Sequence, residues 1–285
     1  MRSKKLLTVV VAGLVAAGVL LGGCAADGDD TIDMIYVQWA CAESQTHIMQ
    51  AVLEDAGYNV ELTAVAAGPM WTSVASGDAD VFVCAWLPYT HEAYMDQYAD
   101  QIEDLGPNYE GARIGLVVPQ YADINSIDEL NAHGDEFDWT IYGIEPGSGI
   151  MHHTYEEAVP SYGLDDWTVM DASDMAMTVA LDSAYSANEW VVVTGWAPHW
   201  KFFAYDLEFL DDPMSSYGGA ETINTIARQG FSADMPGAAS ILSNFFLTEE
   251  QLAEVMYEIN VEGVDPSVAA RQWVDANQGV VSQWV

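Results

Sequence analysis

"VVVTGWAPHWKFF" (191–203) opens with four β-branched residues, a composition that favours a strand over a helix. Trp196 follows where that strand runs out, and Ala197-Pro198 prevents a helix from starting at once. Two other stretches carry a Trp in the same place. "DMIYVQWA" (33–40) reads as a buried strand ending near Trp39, and "DVFVCAW" (80–86) as a strand ending on Trp86.

The segments between them set the fold class. Residues 44–56 read as a helix, with Ile48, Val52, Leu53 and Ala56 on one face and Gly57 as its stop. "NVELTAVA" (59–66) alternates as a strand does, and Pro69 opens a short helix ending near Gly77. Residues 91–98 look helical, and "RIGLVVP" (113–119) is the next strand. From Ile127 the order begins again: a short helix, "WTIYGI" (139–144), a helix over 149–161, "WTVMD" (167–171), a helix over 175–187, then "WVVVTG" (190–195). Residues 221–230 read equally as helix or strand. The last fifty residues are helical, with Leu252, Val255, Met256 and Ile259 on one face.

Strand, helix, strand repeated twice, with a break over 117–124, predicts an α/β protein of two lobes, each a mainly parallel sheet flanked by helices. Lobe I is expected over 33–117 and lobe II over 118–230, with helices over 231–285 packing back on lobe I. Ligands of such sheets bind beyond the carboxyl ends of the strands. Trp39, Trp86 and Trp196 stand at those ends and are expected to face a cleft between the lobes. If the second strand of lobe I lies outside the first, the first and third are neighbours, which brings Cys41 and Cys84 to one rim. A Cys41–Cys84 disulfide is therefore expected, two free buried thiols being the alternative.

The amino terminus carries an address. A basic start (Arg2, Lys4, Lys5), an apolar run over 6–21 and small residues before Cys24 read as an export signal over 1–23. Leu21-Gly22-Gly23-Cys24 resembles a lipobox, which implies lipidation of Cys24, a polar tether over 24–32 and a chain anchored at the outer face of the cell membrane. An ordinary export signal or an uncleaved anchor are the alternatives.

Charge excludes several classes of partner. The chain has 44 acidic against seven basic residues, and loss of the signal removes three of the seven. Nucleic acid and anionic membrane surfaces attract Lys and Arg, so neither is a partner. A hydrophobic content of 51% and ten Trp exclude a disordered acidic chain. The acid reads instead as the solvated surface of a halophilic protein. In molar salt the Debye length is about 3 Å, so affinity must come from direct contacts.

An aromatic cage suits one cation above others. Quaternary ammonium has no hydrogen to donate, whereas indole faces offer it quadrupole attraction and apolar contact. "GIEPGSGIMHHTYEEA" (143–158) breaks the chain ahead of a helix and leaves the N–H groups of Gly149 and Ile150 at its positive end, a seat for a carboxylate. His91, in "WLPYTHEAY" (86–94), adds a side-chain donor. Trp71, Trp139, Trp167, Trp190, Trp200, Trp273 and Trp284 are assigned to packing.

Over residues 33–285 the chain resembles the glycine betaine/proline betaine-binding proteins of ABC importers. The resemblance is carried by "YVQWA" (36–40), "AGPMWTSVASGDADVFVCAWLPYTHEAY" (67–94), "GLVVPQY" (115–121), "INSIDEL" (124–130), "GIEPGSGIM" (143–151), "VVVTGWAPHWKF" (191–202), "YDLEFLDDP" (205–213) and "MPGAASILSNF" (235–245). It implies a two-lobed type II periplasmic-binding-protein fold with a hinge between the lobes, an ammonium cage of Trp39, Trp86 and Trp196, and carboxylate contacts from Gly149, Ile150 and His91. It also implies a membrane permease, driven by an ATPase, as partner, and no cofactor. Cys41 and Cys84 depart from the pattern.

Within the binding class, choline or carnitine are the alternative ligands. An enzyme is disfavoured because no G-x-S-x-G elbow occurs. A metal-capturing lipoprotein is disfavoured because His152 and His153 are adjacent and no H-x-x-x-H pair or Cys/His cluster appears.

Overall fold

The computed structural model describes residues 30–285. The export segment 1–23, Cys24 and tether residues 24–29 lie outside the described residues.

Lobe I begins with β1 (Thr31–Tyr36), α1 (Ala40–Asp55), β2 (Asn59–Ala64), α2 (Ala67–Ser76), β3 (Val81–Leu87) and α3 (Glu92–Tyr98). β1 pairs in parallel with β2 on one side and β3 on the other, so the second strand does lie outside the first. α2 stops at Gly77, whose φ of 81° places it in the left-handed region where a side chain is strained. All seven residues of β3 are buried, as an uninterrupted apolar strand requires.

The chain then enters β4 (Ile102–Pro119), an 18-residue strand far longer than "RIGLVVP". Beyond it lie β5 (Thr140–Tyr142), α4 (Gly149–His153), α5 (Val159–Tyr162), β6 (Thr168–Met170), α6 (Asp174–Ala187), β7 (Val192–Ala197), α7 (Lys201–Ala204) and β8 (Leu207–Phe209). A π-helical turn over Thr154–Ala158 joins α4 to α5, making one helical run. β5 pairs in parallel with β6 and β7, the arrangement of β1 with β2 and β3 repeated. Trp86 and Trp196 each occupy the penultimate position of the third strand in such a trio.

β9 (Glu221–Arg228) resolves the ambiguity over 221–230 as a strand. It pairs antiparallel with β3 and with the first part of β4, so it belongs to the sheet of lobe I rather than to the span ending at 230. β4 serves both sheets. Its residues up to Ala112 pair with β9, and those from Arg113 pair with β7 and β8. β4 thus passes from one sheet to the other between Ala112 and Arg113, and each parallel trio is extended by antiparallel strands. This sharing escaped sequence reading because Gly106, Pro107, Gly111 and the charges around them look like loop, whereas the structure absorbs them as register shifts against β9.

The remaining helices are α8 (Phe231–Asp234), α9 (Pro236–Asn244), α10 (Glu249–Asn260), α11 (Pro266–Ala276) and α12 (Gln278–Val281). α10 and α11 pack on α1. Arg271 Nη1 meets Asp55 at 2.7 Å, and its Nη2 donates to Ala51 O.

Candidate functional site

Trp39 is the N-cap residue of α1, three residues beyond β1, while Trp86 and Trp196 lie within β3 and β7. All three are buried, and with His91, Gly149 and Ile150 they line one cavity between the lobes. All six residues named from the sequence thus meet. Thr90, Ile114, Ile144 and Ser148 complete the walls. Sequence reading missed these four. Thr90 and Ser148 directly precede His91 and Gly149 in the sequence, whereas Ile114 comes to the wall only as the β4 partner of Trp196.

The lobes are closed over this space. Trp39 Nε1 donates to Glu145 Oε1 at 2.5 Å, and Tyr94 Oη donates to Gly147 O at 2.8 Å. Gly149 approaches lobe I so closely that a Cβ there would lie 2.1 Å from Thr90 O. Thr90 is itself fixed, donating from its N–H (2.7 Å) and its hydroxyl (3.0 Å) to Glu221 Oε1.

His91 has a defined tautomer. The Trp86 N–H donates to its Nδ1 at 3.0 Å, so Nδ1 is an acceptor and the neutral ring carries its proton on Nε2. That Nε2 is buried with no protein partner. The ring is packed against Trp39 (stacked, 6.0 Å between centroids), Trp71 (edge-on, 5.6 Å) and Tyr94 (edge-on, 5.9 Å). Burial, aided by His153, pulls its pKa down to about 3. His91 is therefore a neutral donor beside the cavity.

A buried ionic group lies behind Trp196. Lys201 is fully buried, and its Nζ sits 4.4 Å from the Trp196 ring centroid with no hydrogen-bond partner. Its aliphatic chain runs past Gly195, where a Cβ would be 3.5 Å from Cε. Burial lowers its pKa to about 8, against the pull of Asp174 and Cys41. Asp174 and His199 complete the group, joined at 3.0 Å.

The expected Cys41–Cys84 disulfide is not formed; both thiols are free and buried. Cys41 lies in the first turn of α1 and Cys84 in β3, and the Cys84 thiol meets Met70 Sδ at 3.4 Å instead of a sulfur partner from Cys41. Burial, reinforced by Asp174, pushes the Cys41 thiol up to about 12, and burial raises that of Cys84 as well. Among the described residues no group of three or more His, Cys, Asp or Glu could hold a metal, and no helix is long and apolar enough to cross a membrane.

Residues 30–276 match the family model OpuAC, described as the substrate binding domain of ABC-type glycine betaine transport systems. The chain belongs to this family. Two solved structures are similar throughout. Lactococcal OpuAC, closed and complexed with glycine betaine, gives a TM-score of 0.85 at 38% identity, over 89% of this chain and 98% of that one. The glycine betaine/L-proline-binding protein ProX of Borrelia burgdorferi gives 0.86 at 34%, over 90% and 96%. The glycine betaine/carnitine transport binding protein GbuC of Listeria monocytogenes is 46% identical over 153 residues, a match spanning half of its length and 53% of this chain. The fold of this binding domain is accordingly the two-lobed type II periplasmic-binding-protein fold.

Proposed function

We propose that this chain is an extracytoplasmic receptor that captures glycine betaine, or a closely related methylated ammonium carboxylate, and presents it to the permease of an ABC importer. One observation carries the reading. A closed cavity bounded by three indoles also presents the unpartnered Nε2–H of His91 and the first N–H groups of a helical run at Gly149 and Ile150.

Each half of the ligand has its own physical partner. A desolvated ring over a quaternary nitrogen contributes about 2 kcal/mol, and the indoles lose nothing by facing a group that cannot donate. A charge-assisted hydrogen bond to the carboxylate contributes roughly 1.5–3 kcal/mol. After ordering and closure, a micromolar complex of about −8 kcal/mol is expected. The match to a family of substrate-binding domains supports the reading of a binding protein and not an enzyme. The charge of the surface and the Cys24 motif support export, lipid anchoring and work in strong salt.

Isothermal titration at molar salt tests this. Glycine betaine is expected to bind at micromolar concentration and choline, which lacks a carboxylate, far more weakly. Absence of heat with any quaternary ammonium compound would overturn the proposal.

A further inference from the structure

α1 is a 16-residue helix whose N-cap residue, Trp39, offers no capping oxygen. An uncapped amino terminus leaves backbone N–H groups without partners, a deficit that Ser, Thr, Asp or Asn at the N-cap normally removes. Here the cap comes from the other lobe. The Ala40 N–H, first in the helix, donates to Asp174 Oδ2 at 3.0 Å, across 134 residues of sequence. Asp174 begins α6 of lobe II, and α6 has its own cap, since Ser173 Oγ accepts from Ala176 N at 3.2 Å. Asp174 is thus not needed to cap the helix it belongs to.

The carboxylate is held in place for this contact. Its other oxygen, Oδ1, accepts from His199 Nε2 at 3.0 Å. His199 Nδ1 in turn accepts from the Lys201 N–H at 3.1 Å, which puts the imidazole proton on Nε2. Asp174, His199 and Lys201 are all buried, and the Asp174–Ala40 contact borders a groove between the lobes. The residue next to Ala40 is Trp39, a wall of the cavity, whose indole N–H is bonded to Glu145 of lobe II.

We propose that Asp174 is a positioning residue for ligand retention: when the lobes close, its carboxylate caps α1 from across the cleft and seats Trp39 in the cage. Opening the lobes strips α1 of its cap, so the cap bond resists opening while ligand is enclosed. The inference rests on the cavity being the ligand site. Loss of a cap shifts an equilibrium by about tenfold, and for a closure contact that change falls on dissociation.

Ala40→Pro isolates the contact. Proline is favoured at the first helical position, and Trp39 already has the extended backbone (φ −91°, ψ 142°) that a residue before proline adopts. The variant removes the donor and leaves Asp174 untouched. Asp174→Asn, which keeps the shape and an acceptor, and Asp174→Ala complete the set. Glycine betaine dissociation is followed by stopped-flow Trp fluorescence, and lobe closure by distance measurement between labels on the two lobes. Ala40→Pro and Asp174→Ala are expected to dissociate about tenfold faster, with unchanged ligand-free melting temperature for Ala40→Pro and a more open distance distribution; Asp174→Asn is expected to lie between them and the parent. Parent-like dissociation and closure in both Ala40→Pro and Asp174→Ala would overturn the proposal. A parent chain that binds no betaine would instead overturn the functional reading on which it rests.

Discussion

The backbone N–H of Trp86 donates to Nδ1 of His91 across 3.0 Å, so one bond joins a cage wall to the donor beside it and decides which imidazole nitrogen carries the proton. A strand end and a candidate ligand contact five residues later become a single unit. Ring packing by Trp39, Trp71 and Tyr94 then prevents the imidazole from turning away.

His91→Ala removes the side-chain donor while leaving the three indoles in place. Glycine betaine affinity is expected to fall by about ten- to a hundredfold, the equivalent of one charge-assisted hydrogen bond. Choline affinity should change much less, because choline has no carboxylate to lose a partner. Calorimetry with both ligands checks this; equal losses for the two would show that the ring only supports the cage.

Gly149→Ala tests closure from the other side. The added Cβ would meet Thr90 O at 2.1 Å, and that carbonyl is backbone fixed by the Glu221 bonds to Thr90. Overpacking of this kind costs about 1–3 kcal/mol, so betaine affinity should fall roughly five- to a hundredfold. The contact exists between the lobes alone, and Ala suits the first turn of a helix at least as well as Gly. The ligand-free melting temperature should therefore be unchanged or slightly raised.

Acid provides a third test. Burial lowers His91 to about 3 from an ordinary value of 6.5, so the unfolded chain takes up a proton below pH 6.5 while the native protein does not. The native state keeps its full advantage above 6.5 and loses it progressively as pH falls toward about 3. The loss from this one ring approaches 1.4 kcal/mol per pH unit, or about 2 kcal/mol at pH 5. Ligand-free parent and His91→Gln, unfolded by urea at pH 7 and pH 5, should differ by that amount in their pH dependence. Parallel curves would show that His91 is protonated in the native state. His199, lowered to about 4 chiefly by burial and then by Lys201, contributes in the same direction in both proteins.

Thiol counting addresses the cysteines. On protein lacking residues 1–24, a thiol reagent is expected to leave Cys41 and Cys84 unmodified in the native state, because both are buried and burial raises their pKa. Denaturation without reductant should then release two thiols. Finding none would restore the disulfide.

Much of the candidate site was legible from residue pattern, and for a local reason. Strands that run apolar and end on a Trp place that Trp at a sheet rim whatever the remainder of the chain does, as Trp86 and Trp196 illustrate. The Gly-rich break before Gly149 similarly marks the start of a helical run. What was illegible depended on partners distant in the chain. β4 looked short because its glycines and proline resemble a loop until β9 is beside them, and Glu221–Arg228 is ambiguous until β3 and β4 supply its hydrogen bonds.

Composition and periodicity alone determined that this is an α/β protein with two repeating units, rich in surface acid, with three indoles and a helix start near strand ends. Those properties are set by residue type and by periods of two and 3.6, which neighbours in sequence enforce. Tertiary structure decided the rest: where β4 passes from one sheet to the other, that the two thiols stay unbonded, and that a carboxylate 134 residues away caps the helix bearing Trp39. Each of these is a matter of direction across a packed interface. Direction arises only once the lobes have met.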